Sequence, residues 1–459
     1  MRLSVFGVGY VGLVTSACFA DRGHSVVAVD KDPEVIARLK RGVPGLYEPG
    51  LEEMLARNLE ASRLTFTTDP EAAVKQSEVV FLCVGTPPRS DGSSDLEQVE
   101  EVARSLAPLL NGYRLIVEKS TVPVNTGRLI ERTLRLFAPA TASYEVASNP
   151  EFLREGSAIH DFLHPDRIVI GADSDRARGL LLELYGRDFD CPKVVTDVKT
   201  AELIKHASNA FLASKISFIN MVSNLCEELG IDVTTVARGI GLDHRIGGHF
   251  LNAGLGFGGS CLPKDLTAFV KIAEDHGVDF SLLRAVEQIN EERAGRLLRK
   301  IDQALWVVRG KTIGVLGAAF KPETSDIRNA PSLRIITQLK KAGAVLKVYD
   351  PQGAQNLSRL YPPDPTLAYA ASPYEAAADA NALVIVTEWD EFRSLDLGRI
   401  RAIMRTPIIV DGRNLFARDE MLRRGFEYHS LGRGGIDREA APLRGLVEPQ
   451  AASPAAGRG

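Results

Sequence analysis

Short apolar runs separated by helix-patterned stretches dominate the first part of the chain. Leu3 to Phe6 is such a run, and Ser25 to Val29, Val79 to Val84, Leu115 to Val117 and Ile168 to Ile170 follow it. Each is bounded by turn or polar residues, the pattern of strands buried in a parallel sheet and alternating with helices. From about Thr200 the period changes. Ala201 to Leu229 has helical periodicity with no internal proline or glycine, a length that predicts a connector or a dimer interface. Helical patterning resumes from Leu262 to about Ile301.

Lys311 to Gly317 then repeats the opening logic of strand and glycine turn. A helix over Ser332 to Lys341, Gly343, and a strand from Val345 to Tyr349 closing on Asp350 complete the repeat. Ala318 to Ala330 stands as an insert in place of a tight phosphate turn, and Leu383 to Thr387 and Ile408 to Val410 supply further strands. The predicted class is α/β, with two Rossmann-like doubly wound parallel-sheet domains joined by a long central helix. The predicted domains are residues 1–196, a central helical and dimerisation domain at 197–305, and a second Rossmann-like domain at 306–434. The Ala-, Pro-, Gly- and Arg-rich tail at 435–459 is expected to be disordered.

Composition narrows the functional classes. The 459 residues are 45% apolar and 25% charged, ordinary values for a soluble globular protein. A net charge of −4 gives no reason to expect nucleic acid or an anionic membrane as partner. No apolar run reaches the ~18 residues of a membrane span, and the N-terminus reads as a core strand rather than a signal peptide. The cysteines (Cys18, Cys83, Cys191, Cys226 and Cys261) are odd in number, scattered and without a CxxC pair. That argues against a zinc site and for a reducing cytoplasm.

Gly7, Gly9 and Gly12, with Tyr10 and Val11 between them, fit G-x-G-x-x-G after a strand and at the start of a helix. Such glycines permit a tight turn, the approach of a pyrophosphate and close helix–strand packing. Asp30 ends the next strand, where a carboxylate binds a ribose 2′-OH and repels a 2′-phosphate. NAD is therefore the expected cofactor, with Lys31 beside that carboxylate. Thr86 and Thr121 lie where strands end, as cofactor neighbours or proton relays, whereas Cys83 reads as an inert thiol.

The run from Gly256 to Asp265 sets Cys261 behind a glycine-rich approach, with Pro263 placed for a first helical turn. A cysteine at a helix N-terminus is expected to have a lowered pKa. Taken alone it would be a buried loop thiol; beside a dinucleotide signature it points to an oxidation through a covalent thioester. Lys205 and Asn209, spaced i, i+4, share a helix face that would stabilise an oxyanion or simply meet solvent. Glu151 and Glu155 stand four apart with Arg154 between them. His160 and His164 have the spacing of a metal pair but lack a third ligand, so no metal is expected. Asp166 and Arg167 read as a structural pair. Arg245, Lys321, Arg328 and Arg413 sit in loops as phosphate or carboxylate clamps would.

Eight segments in order resemble the nucleotide-sugar (UDP-glucose/GDP-mannose) dehydrogenase family. They are Gly7 to Gly12, Cys83 to Pro88, Glu118 to Pro123, Asn149 to Gly156, Ala201 to Phe211, Gly256 to Asp265, Phe320 to Arg328 and Asp411 to Arg413. The resemblance runs to about residue 433. It implies a four-electron oxidation of UDP-glucose to UDP-glucuronate, a precursor for polysaccharide biosynthesis, with two NAD. By the same resemblance Cys261 attacks the aldehyde, Lys205 and Asn209 stabilise the oxyanion, Asp265 orders water, and Glu151 with Thr121 serves thioester hydrolysis. Gly7, Gly9, Tyr10, Val11, Gly12, Asp30, Lys31, Thr86, Thr121, Glu155 and Arg328 fall on the cofactor side. Glu151, Phe152, Leu153, Lys205, Asn209, Arg245, Phe257, Gly258, Lys321 and Arg413 match substrate positions. Arg245 would reach the neighbouring subunit's site, which implies a homodimer through the long helix.

Rival readings stay open at this level. A sister enzyme acting on GDP-mannose or a UDP-N-acetylhexosamine would use the same chemistry. A two-electron hydroxy-acid dehydrogenase would not need Cys261, and a non-catalytic nucleotide sensor would not need the whole set. Asn252, where some relatives carry lysine, stays outside the expected site.

Overall fold

The apolar run at the N-terminus forms strand β1 (Arg2–Phe6), buried from its second residue onward. The computed structural model describes residues 1–186 and 189–434; the tail expected to be disordered, 435–459, lies outside the described residues. The chain divides into two units, Met1–Leu212 with Ser260–Arg284, and Ala213–Gly259 with the chain from Ala285 onward. The division falls inside two helices, Val198–Leu229 and Ser281–Leu305.

In the first unit β1 is followed by β2 (Ser25–Val29), β3 (Leu64–Thr67), β4 (Val79–Leu82), β5 (Tyr113–Glu118), β6 (Ser143–Ser148), β7 (Ile168–Ala172) and β8 (Lys193–Thr196). They form one sheet in the order β3-β2-β1-β4-β5-β6-β7-β8, parallel except where β6 meets β7. Val5 of β1 stands beside Ala28 of β2 and Phe81 of β4. Helix Tyr10–Asp21 packs Leu13, Val14 and Phe19 on one face of this sheet, and Val99, Ile130 and Leu134 cover the other. Burial on both faces explains why the central strands read as continuous apolar runs. The sheet's topological switch point lies between β1 and β4, so ligands belong at the carboxyl ends of those strands.

The second unit repeats the plan with β9 (Thr312–Leu316), β10 (Val345–Tyr349), β11 (Leu367–Tyr369), β12 (Ala382–Ile385), β13 (Ile408–Asp411) and β14 (Glu427–Ser430). Its sheet is parallel throughout, in the order β11-β10-β9-β12-β13-β14. Residues 318–330 carry neither helix nor strand, in keeping with the insert expected there.

Two details differ from the pattern reading. The helical stretch after Leu262 is two helices, Leu262–Asp275 and Ser281–Leu305, because Gly277 in a left-handed conformation (φ 71°) ends the first. β3, β6, β8, β11 and β14 escape apolar pattern recognition because each is a short run or keeps polar positions.

Candidate active site

The glycine turn after β1 is built for close approach. Gly7 has φ 91°, and a Cβ there would lie 2.8 Å from the Cys83 carbonyl oxygen. A Cβ on Gly12 would come within 1.8 Å of the Gly7 oxygen, whereas the space over Gly9 is open. The Val8 N–H donates to Asp30 Oδ2 (3.0 Å) and the Asp32 N–H to Asp30 Oδ1 (3.1 Å), so this carboxylate is fixed beside the turn. These residues fit a dinucleotide. The equivalent Asp350 of the second unit is buried and spent: it accepts from the N–H groups of Ala318, Ala319, Gln352 and Gly353 and from the Trp389 indole.

Tyr10 ties this turn to the loop that carries Glu155. Its hydroxyl bonds the Glu48 carboxylate and accepts the Gly156 N–H at 3.0 Å, and Glu48 also accepts that N–H, at 2.6 Å. Burial and the Glu48 carboxylate hold the Tyr10 hydroxyl firmly protonated. Val11 packs at the edge of the first core, and Lys31 pairs with Glu101 at the surface (3.0 Å).

A continuous polar chain follows. Thr86 Oγ1 donates to the Thr121 carbonyl (2.8 Å) and accepts from Lys264 Nζ (3.3 Å). Lys264 also donates to Asp265 Oδ1 (2.6 Å), and Asp265 Oδ2 accepts from Asn209 Nδ2 (2.6 Å). Although burial opposes it, the ammonium groups of Lys264 and Lys205 keep the Asp265 carboxyl below its ordinary range. Helix spacing therefore turns Asn209 toward a buried partner rather than to solvent.

Lys205 points the same way. Its Nζ lies 3.2 Å from Glu151 Oε1, and Glu151 Oε2 accepts the Leu153 N–H at 2.6 Å. Burial works against a charged Lys205, but Glu151, Asp265 and Cys261 outweigh it and raise its pKa; the amine stays an ammonium. Its Nζ also lies 5.2 Å from the centre of the Phe152 ring. Arg154 turns away to Asp161 (2.6 Å).

Cys261 is the N-cap of helix Leu262–Asp275, with Ser260 Oγ 3.6 Å from its Sγ and 3.4 Å from Glu155 Oε1. The expected acidification is overturned. Although Cys261 as a residue is exposed, burial of the thiol and the Glu151 carboxylate push it up to about 11, and the Lys205 charge only partly offsets them.

Three neighbours of the site were not read as such from the sequence. Lys264 stands in plain view inside the Cys261 run. Arg167, read as a partner of Asp166, instead lies 3.5 Å over the Phe152 ring. The third, Lys119, is buried and donates to Asn149 Oδ1 (3.0 Å) two residues before Glu151.

In the second unit Phe257 and Gly258 lie in a buried loop. Arg413 sends its guanidinium to the carbonyls of Val386 (2.7 Å), Gly256 (3.1 Å) and Phe320 (3.1 Å) and to Glu388 (3.1 Å), a purely internal set of partners. Lys321 Nζ lies 5.7 Å from the Phe320 ring centre. Arg328 and Arg245 are exposed and pair with Asp326 and Asp243. His160 and His164 stack with ring centres 5.1 Å apart, and no group of His, Cys, Asp and Glu suited to a metal occurs among the described residues. Among those residues, too, no helix is long and apolar enough to cross a membrane.

Comparison with known proteins accounts for this arrangement. Residues 1–188 match the NAD binding domain of the UDP-glucose/GDP-mannose dehydrogenase family, 199–292 its central domain and 314–418 its UDP binding domain. The chain belongs to that family. Its cofactor is NAD. The UDP-glucose 6-dehydrogenase of Rhizobium meliloti (strain 1021) is 49% identical over 94% of this chain and 100% of its own length. That of Bacillus subtilis (strain 168), TuaD, is 45% identical over 95% and 94%. Among family structures, a UDP-glucose dehydrogenase from Pyrobaculum islandicum superimposes with a TM-score of 0.87 at 41% identity, covering 93% of this chain and 96% of that one. A UDP-D-ManNAc dehydrogenase from Pyrococcus horikoshii gives 0.83 at 29% identity, over 95% and 100%.

Proposed function

We propose that this protein oxidises UDP-glucose to UDP-glucuronate through a thioester on Cys261. The observation that carries the reading is the buried Lys205–Glu151 pair whose charges act on the Cys261 thiol. Identity to UDP-glucose enzymes above that to the N-acetylhexosamine enzyme supports glucose as the sugar.

When bound, NAD supplies the hydride acceptor for both oxidations, one molecule for each. Lys205, held as an ammonium, faces the C6 oxygen and stabilises negative charge there. After the first oxidation Cys261 Sγ bonds to the aldehyde carbon while the thiol proton passes to the aldehyde oxygen, which becomes the thiohemiacetal hydroxyl. A covalently held aldehyde does not escape between the two oxidations. Loss of the second hydride and of the hydroxyl proton leaves the thioester. Glu151 takes a proton from water as the water attacks that carbonyl, and as the carbon–sulfur bond breaks the same proton passes to the departing sulfur and returns the thiol. Asn209 and Asp265 hold the polar chain behind the lysine.

The protein acts as a homodimer through the helix Val198–Leu229, whose Phe211, Phe218, Met221, Leu225 and Leu229 form an exposed apolar stripe. Five free cysteines support a reducing, cytoplasmic setting. Replacing Cys261 with alanine tests the chemistry: NADH formation from UDP-glucose disappears while NAD affinity persists. Undiminished turnover in that variant refutes the covalent route.

A further inference from the structure

We infer that Asn290 is a positioning residue for the sugar nucleotide, acting through the loop that carries Phe257 and Gly258. The inference rests on the reading that those two residues contact the sugar nucleotide. Residues 253–259 are buried and form neither helix nor strand. Backbone in such a place needs a partner for each N–H and C=O.

Side chains of the same unit supply them. Asn414 Nδ2 donates to the Ala253 carbonyl (3.0 Å), Arg293 Nε to that of Gly254 (2.7 Å), and Arg413 to that of Gly256 (3.1 Å). Asn329 Nδ2 donates to the Gly259 carbonyl (3.1 Å), and Asn220 Oδ1 accepts the Gly254 N–H (2.9 Å).

Asn290 takes both polar groups of Phe257. Its Oδ1 accepts the Phe257 N–H at 2.8 Å and its Nδ2 donates to the Phe257 carbonyl at 3.0 Å. This amide pairs with the peptide as a neighbouring strand would, which fixes the peptide plane as well as its place. The fit also dictates the preceding residue. Gly256 has φ 85°, and a Cβ there would lie 2.2 Å from Asn290 Oδ1. One turn along the helix Ser281–Leu305, Arg293 is 1% exposed and also donates to the Asn220 carbonyl (3.1 Å), Asn224 Oδ1 (2.6 Å) and Ser223 Oγ (3.1 Å). The helix thus grips the loop at two successive points.

Truncating Asn290 leaves a buried N–H and C=O unpaired and frees the Phe257–Gly258 peptide to rotate. The glycine turn that fits NAD belongs to the other unit and keeps its own bonds to Asp30. The loss falls on the sugar nucleotide alone.

The test is calorimetric affinity for UDP-glucose and for NAD in the full-length wild type, Asn290→Ala and Asn290→Asp, with hydrogen exchange of the Phe257 amide read in parallel. In Asn290→Ala, UDP-glucose binding weakens about tenfold or more, NAD binding changes by less than about twofold, and the amide exchanges faster. Asn290→Asp keeps the acceptor and loses the donor, so it falls between the two. Acidification that protonates the new carboxyl restores its binding relative to wild type at the same pH. Unchanged UDP-glucose affinity, or equal loss of both ligands, overturns the inference. A wild type that fails to bind UDP-glucose defeats the substrate reading instead; amide exchange then decides whether Asn290 holds Phe257, and unchanged exchange overturns that claim.

Discussion

Lys205 Nζ lies 3.2 Å from Glu151 Oε1, with the two side chains only 5% and 6% exposed. Two charges so placed are interdependent, because removing either leaves the other buried without compensation. Glutamine at 151 keeps an acceptor for the ammonium and removes the base. In Glu151→Gln, steady-state turnover therefore falls by about 10² or more. Both oxidations still precede the slow step, so rapid-mixing absorbance shows a burst of two NADH per active site. Normal steady-state turnover without a burst would exclude Glu151 as the base for hydrolysis.

The thiol of Cys261 carries a distinct pH signature. Burial and Glu151 push it up to about 11. The raised value favours the neutral thiol, so at pH 7 the thiolate fraction in the ligand-free protein is about one part in 10⁴. Alkylation of Cys261 by iodoacetamide, followed by peptide mass spectrometry, keeps accelerating up to pH ~10 rather than levelling near the usual ~8.5. A plateau below pH ~9 would show that the helix N-terminus outweighs burial after all.

Lys119 makes a stability prediction. Burial lowers its pKa to about 8 from 10.5. The unfolded chain then binds more protons between those values, so this group's contribution to stability rises as pH climbs through that window. Denaturant melts at several pH values give a wild type that gains on Lys119→Met by roughly 3 kcal/mol between pH 8 and 10.5. A pH-independent difference between the two proteins would mean that Lys119 stays charged in the fold.

Phe218 stands 54% exposed in the apolar stripe of the long helix, between Phe211 and Met221. Aspartate there puts a charge into the proposed dimer face without touching the core. Sedimentation equilibrium is expected to give the mass of two chains for wild type and one for Phe218→Asp. Identical masses for the two proteins would move the interface elsewhere.

Much of this was legible from periodicity and motif. The glycine turn with Asp30, the repeat at Gly317 with Asp350, and the long helix were all readable, because strands buried on both faces and helices without breakers leave strong patterns. The fate of the second acidic residue was not. Asp30 and Asp350 hold the same place in their repeats, yet Asp350 is consumed by its own loop and by Trp389, which follows β12. Arg413 looked like a phosphate clamp and instead holds backbone carbonyls, because a guanidinium serves either use equally well. The thiol of Cys261 was misjudged for a related reason. Helix position is written in sequence, but desolvation and a carboxylate brought from residue 151 are properties of the folded site.

The central claim is a four-electron oxidation passing through Cys261, and the NADH yield per mole of limiting UDP-glucose, with NAD in excess, tests it most directly. The account predicts two NADH for each sugar nucleotide consumed. One NADH per sugar would contradict it, for the reaction would then stop at the aldehyde and leave the thiol without a task.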